Sequence, residues 1–197
     1  SLDTFDRLDV GTKMGDYIND YDTWRSQEDY DLQKKSLQDS LAALDADVIC
    51  LQEFHADDMD DIKSYLSGKL KGYKAEYYMF PTEKGGFGNV TLSRLPSSGK
   101  GVLKFDESAN LAIYTDYTHG EKRFRVYNCH FESYNISPTG IVKALAQRDS
   151  TILEETGTKM KRSITRRPKQ VDQVFSDIEN CPVDAFVCGD FNDNPMS

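Results

Sequence analysis

The stretch "AFVCGDFNDNP", residues 185–195, joins an apolar run to a knot of carboxylates and carboxamides. Ala185–Cys188 reads as a buried strand, and Gly189 lets the backbone turn closely at its end. Asp190 and Asn192 stand just beyond. A strand buried on both faces has little reason to carry an unpaired carboxylate, because burial of a bare charge is costly. At a strand's end the same groups reach the rim of a sheet, where a ligand can sit. Taken alone, D-x-N after a strand also suits an Asx-turn. It imitates the start of a calcium loop as well, but Pro195 stands where that loop needs Gly.

Working outward, two more apolar runs end the same way. "VICLQE" ends at Glu53, and "VYNCHFES" carries Asn128 and His130. Each has a plain alternative: Glu53 as the strand's exit into solvent, His130 as a hydrogen-bonded core histidine. The combination is more specific than any member. A hard cation such as Mg²⁺ binds through one or two carboxylates, substrate phosphate oxygens and water, and Glu53 fits that role. Asp190 is placed to orient an attacking water, Asn192 to hold a phosphate oxygen, and His130 to donate to the phosphate as charge builds.

Composition bounds these readings. The chain has 197 residues, 29% charged and 38% hydrophobic, which suits one soluble domain. No apolar run approaches the length of a membrane span, and no signal peptide opens the chain, which leaves the compartment unknown between cytoplasm and bacterial envelope. A net charge of −9 does not suit a general nucleic-acid binder; an enzyme that uses a divalent cation is less constrained. The run "KMKRSITRRPK", 159–169, carries six basic residues and no acid. It reads as a solvated helix end or as a patch that meets phosphate. The four cysteines lack C-x-x-C spacing, so free thiols are expected and a zinc site is not. Acids at 57–61 and 190–194 offer a calcium-binding alternative, but acids at a helix start are ordinary.

Periodicity predicts a helix near 27–44, on Tyr30, Leu37, Leu41 and Leu44, and a strand over 47–53. A second helix is predicted over 57–70, and residues 1–25 read as irregular. "GYKAEYYMF", "GFGNVTLSR", "GVLKF", "NLAIYTDYT" and "KRFRVYNCHF" read as strands, with a hairpin turn at "THGE". "GGFG", 85–88, reads as a mobile turn. His55 and His119 read as exposed turn residues. Two helices, near 139–155 and 163–180, and a strand over 184–189 complete a single α/β or α+β unit.

"DADVICLQE", "GNVTLSRLP", "VYNCHFES" and "CGDFND", in that order, resemble the endonuclease/exonuclease/phosphatase superfamily, and "WRSQEDY" and "RRPKQVDQV" look like its bacterial members. The resemblance covers most of 24–195. It implies an α+β sandwich of four layers, two mainly antiparallel sheets flanked by helices. It implies metal-dependent hydrolysis of a phosphate ester with Mg²⁺, or Mn²⁺ as the alternative ion. By motif, Glu53 becomes the metal ligand, while His130, Asp190 and Asn192 become catalytic, with Asn128 and Arg94 in support. The substrate it implies is a nucleic acid, a phospholipid head group or a small phosphodiester; no protein partner is implied. The family's Asn-bearing first strand and its C-terminal S-D-H have no counterpart here. The expectation is therefore a domain trimmed at both ends, poorly active alone. The alternative is a non-catalytic binding module of the same fold.

Overall fold

A computed structural model of the protein describes residues 27–56, 63–64, 66–82, 85–133 and 150–192. In chain order these form helix α1 (Gln27–Ala43), strand β1 (Val48–Ala56), a 3₁₀ turn (Gly68–Leu70), and strands β2 (Lys74–Thr82), β3 (Gly85–Ser93), β4 (Ser97–Lys104), β5 (Leu111–His119) and β6 (Lys122–His130). Helix α2 (Ser150–Glu179) and strand β7 (Asp184–Asp190) follow.

The strands make two sheets. One is antiparallel in the order β1–β3–β2. The other runs β4–β5–β6–β7, antiparallel except for the parallel β6–β7 pair. A parallel pair cannot be closed by a tight turn, and α2 lies within the connection from β6 to β7. The antiparallel β5–β6 pair needs only the turn at Gly120 and Glu121, between paired His119 and Lys122.

Strand alternation sorts side chains into layers. On β3, Val90 and Leu92 join Ile49, Phe54, Met79, Tyr73 and Leu70 in a cluster with Leu41 of α1. On β5 and β6, Ala112, Tyr127 and Cys129 join Phe105 and Phe131 in a cluster with Val174 of α2. Tyr127 also donates its hydroxyl to Asp177 of α2 at 2.6 Å, and Arg125 bridges Asp116 at 2.6 Å. Intervening residues face the opposite sheet. The result is a sandwich of helix, sheet, sheet and helix.

The seam between the sheets is markedly polar. Asn89, Thr91, Thr115 and Asn128 are all at most 1% exposed. Asn89 Nδ2 donates to Leu111 O at 3.2 Å and to Asn128 O at 3.0 Å, so it ties β3 to β5 and β6. Buried amides such as Asn89 are tolerated because they are partnered in this way.

Several elements differ from the sequence expectation. Leu37 and Leu41 pack inward as predicted, but Leu44 is exposed. The helix ends at Ala43 and the chain turns through Asp45 at φ +45°, which takes Leu44 off the helical face. "GGFG" is not a turn: it begins β3, and a Cβ on Gly88 would lie 2.0 Å from Tyr78 O. His55 lies within β1, exposed, its ring 4.7 Å from Phe87. In place of two helices, one spans Ser150–Glu179 with Pro168 inside it. The expectations for 1–25 and 139–149 fall outside the described residues. So does half of the predicted 57–70 helix; of its described residues, 63–64 are helical and Gly68–Leu70 form the 3₁₀ turn.

Candidate active site

β6 and β7 run in parallel register, with Asn128 beside Cys188 and His130 beside Asp190. With a side-chain period of two, Val126, Asn128 and His130 share the face turned towards the other sheet, as do Phe186, Cys188 and Asp190. Their C-terminal ends form one rim.

β1 reaches that rim by an irregularity. Leu51 pairs with Val90, but Phe54 pairs with Gly88, so β1 advances three residues where β3 advances two. This is a bulge. In regular alternation Ile49, Leu51 and Glu53 would share the face against α1, and Phe54 would face the seam. Instead Phe54 is buried in the α1 cluster at 2% exposure, and Glu53 has a left-handed φ of +54°. The extra residue turns the Glu53 carboxylate to the seam, where Oε1 lies 3.5 Å from His130 Nε2.

His130 is 5% exposed. Burial pushes its pKa below the usual histidine range, while the nearby Asp190 and Glu132 carboxylates pull the other way. It is therefore a neutral imidazole at neutral pH. Its contact with Glu53 is longer than a good hydrogen bond and is not an ion pair.

Asp190 and Asn192 form the Asx-turn that D-x-N allows: Asn192 N donates to Asp190 Oδ1 at 2.9 Å. The turn positions the carboxylate. Asn192 has φ +48°, a conformation Asn accepts more readily than most residues. One of its amide N–H groups goes to Phe131 O at 2.8 Å, and its own carbonyl accepts from Arg167 Nη1 of α2. Gly189, at φ +147°, lets β7 approach closely; a Cβ there would sit 1.9 Å from Cys129 O.

Asn128 is brought near but turned inward. It is fully buried, with Nδ2 3.0–3.2 Å from Leu51 O, Val90 O and Thr91 Oγ1. Its Oδ1 accepts from Gln52 Nε2 at 2.7 Å. Arg94 is not brought to the rim. It follows Ser93, which pairs with Val48 at the opposite end of β1 from Glu53. There it bridges Asp45 at 2.8 Å and Asp47 at 3.2 Å. A support role at the site is thus corrected to one fastening the entry to β1.

Other residues frame the rim without having been singled out. Gln170 accepts from Glu132 N at 2.9 Å, and Ser108 donates to Glu132 at 2.7 Å. Arg166 bridges Glu107, and Arg167 is 9% exposed. The basic run was visible in the sequence, but its division was not: Arg167 is spent on the Asn192 turn, while Lys161, Arg162 and Lys169 are exposed.

A family model described as the Endonuclease/Exonuclease/phosphatase family matches residues 23–197. The sequence has no match among curated proteins. Solved structures with a similar fold include TDP2 of D. rerio humanized by 14 mutations, with TM-score 0.57, 17% identity, and 87% of this chain covered against 59% of that one. ANGEL2, a 2′,3′-cyclic phosphatase solved with adenosine-2′,3′-vanadate, gives TM-score 0.55 and 20% identity over 83% and 44%. D. rerio TDP2 with a single-strand DNA product gives TM-score 0.54 and 18% identity over 83% and 54%. The present chain thus spans about half the length of these structures, and the likeness is one of fold.

Proposed function

The chain belongs to the endonuclease/exonuclease/phosphatase family, and from that membership we propose that it hydrolyses phosphate esters with the help of a divalent cation. The observation that carries the reading is the bulge in β1, which turns Glu53 out of a helix-facing position and towards His130. A helix-facing Glu would have been a burial problem; a seam-facing one beside a neutral imidazole is a site.

The donor set fits a hard cation held sparingly. Among the described residues no three His, Cys, Asp or Glu form a cage. Mg²⁺ does not need one, since it keeps several waters and takes one or two carboxylates with substrate phosphate oxygens. Glu53, with its side chain 31% exposed, would hold it. Bound there, the cation would supply charge stabilisation for the phosphate oxygens; Mn²⁺ is the alternative ion.

The protein's own groups have distinct tasks. His130 is neutral, so its Nε2–H can donate to a phosphate oxygen without adding a buried charge. Asp190 is held by its Asx bond and orients the attacking water, accepting its proton. Asn192 offers its second amide N–H to a phosphate oxygen. Arg167 acts through Asn192 by anchoring its backbone carbonyl. Single-stranded DNA and a 2′,3′-cyclic nucleotide head the substrate panel, because similar folds bind a DNA product or cleave the cyclic ester. The exposed bases Lys161, Arg162 and Lys169 of α2, the helix whose Arg167 anchors the Asn192 turn, suit a polyanionic strand. Phosphoinositides and small phosphodiesters complete the panel.

The test is hydrolysis of this panel with Mg²⁺ and with EDTA, using the native protein, Glu53→Ala and Asp190→Ala. Turnover should vanish in EDTA and fall by roughly a hundredfold or more in each variant. Undiminished activity in both variants would refute the assignment of these residues.

A further inference from the structure

Cys50 of β1 and Cys188 of β7 meet across the seam with their Sγ atoms 3.1 Å apart, although 138 residues separate them in sequence. Among the described residues, β1 and β7 are edge strands of their respective sheets. Both cysteines are free thiols and partly exposed. Together they line a groove of about 840 Å³ whose walls include Leu44, Val48, Phe124 and Phe186. Small solutes can therefore reach the pair. A disulfide has its sulfurs about 2.05 Å apart, so closure needs a movement of only about 1 Å. The other two thiols are differently placed. Cys129 is buried in the cluster under α2, and burial pushes it up to about 12. Cys181 sits just past the end of α2.

The pair is also chemically uneven. Their shared hydrogen bond holds Cys188 below the usual thiol range and lifts Cys50 above it. Cys188 thus ionises first while Cys50 keeps its proton, and the thiolate is the reactive form.

We propose that Cys50 and Cys188 are a reversible oxidation site for hydroperoxides, closing to a disulfide that ties the two sheets together. In the first step Cys188 Sγ attacks one peroxide oxygen and the O–O bond breaks. The departing oxygen takes a proton and leaves as water or alcohol, and Cys188 becomes a sulfenic acid. In the second step Cys50 Sγ attacks Cys188 Sγ. The S–O bond breaks, the S–S bond forms, and hydroxide leaves as water with the proton of Cys50. The two thiols lose two electrons and the peroxide gains them. Cys50 lies three residues before Glu53, and Cys188 two before Asp190, so the bond clamps both strands just behind the rim. The site stands apart from the phosphoesterase reading, because its chemistry needs no substrate turnover.

The reduced protein is treated with stoichiometric hydrogen peroxide, alkylated, digested and mapped by mass spectrometry. The intact mass should fall by two hydrogen atoms, and two of the four thiols should become unreactive together. One cross-linked peptide pair should contain Cys50 and Cys188, and dithiothreitol should restore all four thiols. Cys181→Ser should retain the cross-link, and Cys50→Ser should leave a sulfenic acid on Cys188 that dimedone traps. Oxidation of Cys188 alone to sulfinic acid in the native sequence would overturn the proposal. So would a cross-link through Cys129 or Cys181, or bridging only between molecules. The map of the native sequence decides this even where a variant fails to fold.

Discussion

Between Cys188 and Asp190 the chain needs a residue without a side chain. Gly189 brings β7 so close to β6 that a methyl group would overlap Cys129 O, at a φ that L side chains rarely adopt. Gly189→Ala is expected to cost about 2–4 kcal/mol, read from the urea midpoint. An unchanged midpoint would show that the strands do not approach this closely. A glycine before D-x-N was legible in the sequence as a close turn. Which backbone it avoids was not, because Cys129 lies 60 residues away in the chain and becomes its neighbour only through β6–β7 pairing. The same limit governed Arg94: a strand-end arginine reads alike at either end of a sheet, and only the β1–β3 register shows which end it occupies.

At the scale of elements, β1 carries the decisive irregularity. Its apolar run was plain from β-branched and aliphatic residues, but regular alternation would have sent Glu53 towards α1. The bulge reverses that, at the cost of a left-handed backbone in a residue with a Cβ. Glu53→Gly should relieve this strain and leave stability unchanged or raised by about 0.5–1 kcal/mol, while hydrolysis is lost. Glu53→Ala loses activity with no such relief. A clear fall in melting temperature for Glu53→Gly would contradict the bulge. Helix α2 holds a second irregularity. Pro168, exposed within the helix, removes one backbone hydrogen bond and crowds the preceding turn. The sequence suggested a break earlier, between helices near 139–155 and 163–180, yet one helix runs through both that gap and Pro168, with Ser163, Arg167, Gln170 and Val174 buried along it. Pro168→Ala should stabilise the protein by about 1–3 kcal/mol in chemical denaturation, and no gain would indicate that the proline sits in a relaxed bend.

At the scale of the molecule, the two sheets are joined by a seam of amides and hydroxyls as well as by apolar contact. Asn128 bridges three β1 and β3 groups from its place on β6, so it couples the two halves directly. Asn128→Ala should cost about 2–4 kcal/mol, since buried partners would be left unsatisfied. The loss should appear equally in fluorescence and far-ultraviolet circular dichroism if the sandwich unfolds as one unit; separate transitions would mean that the sheets unfold independently.

By itself the sequence determined what backbone period and residue chemistry control. It placed all seven strands to within a few residues and the first helix nearly whole, and it put His130 and Asp190 at the ends of strands, whereas β1 runs three residues past the expected end at Glu53, to Ala56. It also supplied the family motifs from which an α/β sandwich followed. Tertiary structure alone decided how those ends were used. It chose the bulge that turns Glu53, the register that sets His130 beside Asp190, the inward turn of Asn128 and the meeting of Cys50 with Cys188. The physical reason is one of range. Alternation and propensity act over a few residues, whereas facing, register and proton sharing depend on partners dozens of residues away, and packing alone brings those together.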